Sequence, residues 1–98
     1  MSNAKLIVKE KLEFQDGTIT EMKLWEVPKT EDKPHGYKYS LVYIRHGKRV
    51  IGYDNSEGKG DHRHYGEHEE GYTFTTVREL IKDFLKDVNE YKKGGKQL

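Results

Sequence analysis

The hydrophobic residues of this chain change period once, and that change leaves few folds open. Up to residue 53 they alternate at period two, as strands require. After residue 76 they recur at helical spacing, as Val77, Leu80, Ile81, Phe84, Leu85, Val88 and Tyr91. In residues 5–14 Leu6, Val8, Leu12 and Phe14 fall on one side and Lys5, Lys9, Lys11 and Glu13 on the other, which predicts a half-buried strand. Asp16-Gly17 then signals a hairpin turn, because glycine accepts the positive φ such turns need. The return strand runs from Ile19 to Val27 and stops before Pro28. Residues 28–36 are polar or turn-forming and read as a mobile loop. Residues 37–45, YKYSLVYIR, are apolar on both faces, as in a central strand. His46-Gly47-Lys48 is a second turn, residues 49–53 a fourth strand and residues 72–74 a short fifth. Thr76 and Glu79 form a capping box for a helix over 76–93, which Gly94-Gly95 ends. The expected fold is α+β: an antiparallel meander of four to five strands with one C-terminal amphipathic helix packed on one face.

A chain of 98 residues is one domain, 1–98, with 1–4 and 94–98 expected to fray. Only 33% of it is hydrophobic and 36% is charged, but eleven aromatic residues supply large surfaces to bury. Tyr37, Tyr39 and Tyr43 share a strand face, which suits sheet packing or stacking on unpaired bases, and Trp25 is read as core. The absence of cysteine excludes a disulfide scaffold, a thiolate metal site and a cysteine nucleophile. No apolar run approaches a membrane span or a secretion signal, so a cytoplasmic protein without a membrane partner is expected. Net charge is +1, too little for a general nucleic-acid coat. Residues 36–65 nevertheless carry six Lys and Arg against three Asp and Glu, while residues 66–90 carry three against seven. A basic patch beside an acidic segment follows.

The stretch 54–71, DNSEGKGDHRHYGEHEEG, breaks both periods and reads as a long functional loop. It concentrates the chemistry of the chain, with three readings in competition. In the first, His62 and His64 share a face in an extended segment and act as acid and base on an RNA phosphodiester. Asp61 or Asp54 orients an imidazole there, and Lys59 and Arg63 hold the phosphate. Tyr53 and Asn55, at the mouth of the loop, are further substrate contacts, and no cofactor is required. In the second, His62, His64 and His68 bind a metal, with Asp54 and Asp61 as carboxylate ligands. In the third, the polar groups cap strand ends and bind their own backbone.

The residues also carry a resemblance. Residues 16–28, DGTITEMKLWEVP, the run YKYSL at 37–41, YDN at 53–55, GKGDHRH at 58–64, the Tyr72/Phe74 pair and the helix at 80–88 are similar to the TumE family of small prokaryotic toxins. The resemblance spans residues 5–90. It implies the toxin of a type II toxin–antitoxin pair, neutralised by a helix-turn-helix antitoxin. The resemblance names no molecular target; RNA or the ribosome is a partner that the loop chemistry suggests, and a homodimer is compatible. A non-catalytic protein that blocks a cellular target is the alternative of a different class.

Overall fold

Each strand pairs only with its neighbours in sequence. The computed structural model describes residues 4–56, 58 and 60–94. Within them β1 (Lys5–Glu13), β2 (Ile19–Glu26), β3 (Tyr37–Arg45), β4 (Lys48–Asp54), β5 (His62–Tyr65) and β6 (His68–Gly71) form one antiparallel sheet in sequential order. Helix α1 (Val77–Gly94) follows and lies over β4. The expected α+β class and C-terminal helix are observed, but the strands number six instead of four to five. The expected frayed ends fall mostly outside the described residues, at 1–3 and 95–98.

The extra strands come from 54–71. This stretch is not a long loop: its second half is the hairpin β5–β6, with Tyr65 paired to His68 across Gly66 and Glu67. Gly66 has φ 62°, as the first turn position of a II′ hairpin requires. Residues 72–74 form no strand. Tyr72 and Phe74 instead pack under the helix side of the sheet.

The core lies between the sheet and the helix. Met22, Leu24, Tyr39, Leu41, Tyr43, Ile51 and Tyr53 meet Leu80, Phe84 and Val88 there. Tyr39 and Tyr43 are fully buried, so they pack and are closed to bases. Thr76 caps the helix by accepting the Glu79 amide at 3.0 Å. Leu85 turns out of the core and is exposed.

Three further expectations are corrected toward the other end of the sheet. β1 is exposed along nearly all its length, with Leu6, Ile7 and Leu12 at 50%, 46% and 47%. Three strand spacings put it about 14 Å from β4, beyond the cover of a helix about 10 Å across. Trp25 is half-buried on the helix-free face, opposite Leu6 and beside the Lys38 ammonium, and is not core. The 28–36 connection is tied down: the Val27 amide donates to Gly36 O at 2.8 Å and the Thr30 amide to Lys33 O at 3.2 Å.

Candidate functional site

Alternation along β5 divides the expected site between the two faces of the sheet. Arg63 pairs with Tyr53 and Glu70, on the helix side. Its Nε donates to Glu70 at 2.7 Å and its Nη1 to the Tyr53 hydroxyl at 3.1 Å. Tyr53 is fully buried and donates to Asp87 of the helix at 2.6 Å. Arg63 and Tyr53 therefore belong to a chain of contacts that fastens β5 to α1. His68 stands on this same side, 54% exposed, with Nε2 3.1 Å from Glu70.

Asp61 turns to the helix side as well. It accepts from the Tyr39 hydroxyl at 2.7 Å and from His35 Nε2 at 2.9 Å. His35 Nδ1 accepts the Tyr37 amide at 3.1 Å, so the Nε2 proton is the one Asp61 receives. The His35 ring rests on Phe74 at 4.0 Å between centroids. Burial pushes the Tyr39 hydroxyl well above its ordinary value, and its bond to Asp61 adds to the shift. Asn55 is fully buried: its carbonyl oxygen accepts the Tyr39 amide at 3.1 Å and its amide donates to Tyr37 O at 2.8 Å. Asp61 and Asn55 thus hold the 28–36 and 54–61 connections against β3. Lys59 lies outside the described residues.

The helix-free face collects the rest. His62 and His64 share it, as the two-residue spacing predicts, with ring centroids 5.0 Å apart. Asp54 sits opposite His62 in register and Glu69 opposite His64. His62 Nε2 is 2.9 Å from Asp54 and 3.4 Å from Glu69. His64 Nε2 is 3.7 Å from Asp54 and 3.8 Å from Glu69. The His62 Nδ1 proton goes to the Gly60 carbonyl at 3.0 Å. Burial holds the His64 imidazole below its ordinary value, and the Arg49 charge nearby adds to the effect.

Arg49 and Glu69 were not among the residues the sequence pointed to. Strict alternation would put Arg49 on the core face with Ile51 and Tyr53. A register shift between Tyr43 and Ile44 sets Arg49 opposite Ile44 and turns it to the helix-free face. Its side chain then lies across Gly52, where a Cβ would meet Arg49 Cδ at 2.8 Å and His64 Cδ2 at 3.6 Å. The glycine is what lets guanidinium and imidazole approach. Glu69 escaped notice because it stands in a run of acidic residues, and its role appears only with the β5–β6 register.

The corner therefore holds one guanidinium, two imidazoles and two carboxylates, all from β4, β5 and β6. Such a set can hold an anion, move a proton or bind a cation. No helix of the described residues is long and apolar enough to cross a membrane. The family model described as Toxin TumE matches residues 2–92 of the chain. No curated protein and no solved structure matches it.

Proposed function

Because the chain belongs to the TumE toxin family, we propose that it is the toxin of a toxin–antitoxin pair and cleaves RNA at the Arg49–Asp54–His62–His64–Glu69 corner. A small helix-turn-helix protein is the antitoxin in this reading. The observation that supports it is the convergence of two imidazoles and two carboxylates from three strands on the face the helix leaves open. Cleavage of a phosphodiester needs a group to take the 2′-hydroxyl or water proton, and a cation to meet the phosphate. Arg49 is the cation, at an exposed position beside His64. Arg63 plays no part in the chemistry, since β5 turns it to the other face.

The test is growth arrest and RNA cleavage by wild type, His64→Ala, Arg49→Ala, Gly52→Ala and Arg63→Ala, each checked for folding by circular dichroism. Loss of the His64 imidazole is expected to lower cleavage by roughly 10²–10⁴-fold. Gly52→Ala should act in the direction of Arg49→Ala, because the added methyl displaces the guanidinium. Folded Arg63→Ala should still arrest growth. Full arrest by folded His64→Ala would transfer the toxicity from chemistry to the blocking of a cellular target.

A further inference from the structure

We propose that Asp54, His62 and His64 form a binding site for one divalent first-row transition ion, with Glu69 at its margin. The proposal rests on the reading above in that it concerns the same corner, with His62 and His64 acting as ligands in place of free bases, and its test does not depend on RNA cleavage. One ligand atom from each of the three residues lies within 4.8 Å of the others. In a tetrahedral site with bonds of 2.0–2.2 Å, ligand atoms stand about 3.3–3.6 Å apart. His62 Nε2 stands 2.9 Å from Asp54 Oδ1, short of that range, and His64 Nε2 3.7 Å from Asp54 Oδ2, just beyond it, so each imidazole faces its own oxygen of the carboxylate.

The protonation pattern of His62 points the same way. Its Nδ1 proton is committed to the Gly60 carbonyl, which in a neutral ring leaves Nε2 with a lone pair. A carbonyl on the far nitrogen is also what fixes ring and tautomer in metal-binding histidines. The His62 side chain is 6% exposed, and Nε2 aims at Asp54. Among the described residues neither this nitrogen nor Asp54 Oδ1 has a hydrogen-bond partner, although they are 2.9 Å apart. Two buried lone pairs facing each other repel, and a cation between them removes the cost. A proton would serve this one pair alone. A metal ion also accounts for His64 Nε2, turned toward the same carboxylates.

The donors are imidazole nitrogens and carboxylate oxygens with no thiolate, a set that suits Zn²⁺, Mn²⁺, Ni²⁺ or Fe²⁺ and not Cu⁺. The ligand set differs from the three-histidine set expected from spacing, because His68 stands on the opposite face.

Zn²⁺ is the probe. The full chain, stripped with a chelator, is dialysed against Zn²⁺, and bound metal is counted by mass spectrometry. The expected result is one zinc per chain, a higher melting temperature with zinc, and zinc-dependent shifts of the His62 and His64 Nε2 resonances. His64→Ala and Asp54→Asn should each weaken uptake by about tenfold or more, and His68→Ala should leave it unchanged. Should His64→Ala fail to fold, Asp54→Asn and the wild-type resonances still decide. Zinc uptake well below one per chain, or uptake lost in folded His68→Ala and kept in His64→Ala, overturns the site. A chain that binds zinc without cutting RNA overturns the nuclease reading alone, and a chain that cuts RNA without binding zinc overturns the metal site alone.

Discussion

Asp54 and Asp61 stand in the same polar stretch, yet they serve opposite faces of β5. Asp54 faces His62, while Asp61 receives protons from Tyr39 and His35. Nothing local in the sequence separates the two, because the partners of Asp61 lie 22 and 26 positions away. The pairing of His62 with His64 was legible, since it needs only an extended backbone and a spacing of two. The departure of Arg63 follows from the same alternation. Arg49 was not legible, for a bulge overrides the period that would have assigned its face. Asp61→Ala strips an acceptor from two largely buried donors. Hydrogen bonds to a charged group contribute about 1.5–3 kcal/mol each. The variant should lose at least that much in urea unfolding, and an unchanged midpoint would show that the 28–36 connection is held by other contacts.

Among the elements, the helix was the most legible and the second hairpin the least. Helix α1 carries its own cap at Thr76 and buries Leu80, Phe84 and Val88 at helical spacing, so period and boundary agree. Strand β5 buries or half-buries residues that are mostly polar, His62, Arg63, His64 and Tyr65, and β6 is exposed throughout. They have no apolar alternation to read, and only Gly66 marks the turn between them. β1 misled in the opposite sense: a register shift between Leu6 and Val8 splits its alternation and puts Leu6 on the helix-free face with Trp25, and the helix is too far away to cover the rest. Phe84 is fully buried and meets the Tyr53 ring edge-on at 6.1 Å. Phe84→Ala should cost about 3–5 kcal/mol through lost burial and the cavity left behind. A calorimetric melting curve identical to wild type would mean that α1 is not docked through this ring.

At the scale of the whole molecule, the sheet has two outer edges and its helix guards neither. β1 offers nine residues of edge with Leu6, Ile7 and Leu12 exposed, a hazard for a free protein and a template for a partner strand. In the toxin reading the antitoxin pairs with this edge or covers residues 54–71. Amide exchange should slow in one of those two regions when the complex forms, and protection confined to other segments would overturn both. The sequential order of the sheet has a consequence for folding. Each strand needs only its neighbour in sequence, so β1 to β6 can pair before α1 docks. Until then Leu24, Tyr39, Leu41, Tyr43, Ile51 and Tyr53 have no cover, because Leu80, Phe84 and Val88 arrive last. Three strands of the meander supply every group of the candidate site, but the scaffold that keeps them in place is closed only by the final helix. Without α1 docked the molecule is thus a sheet with its apolar face open, the form in which a chaperone finds the most to bind.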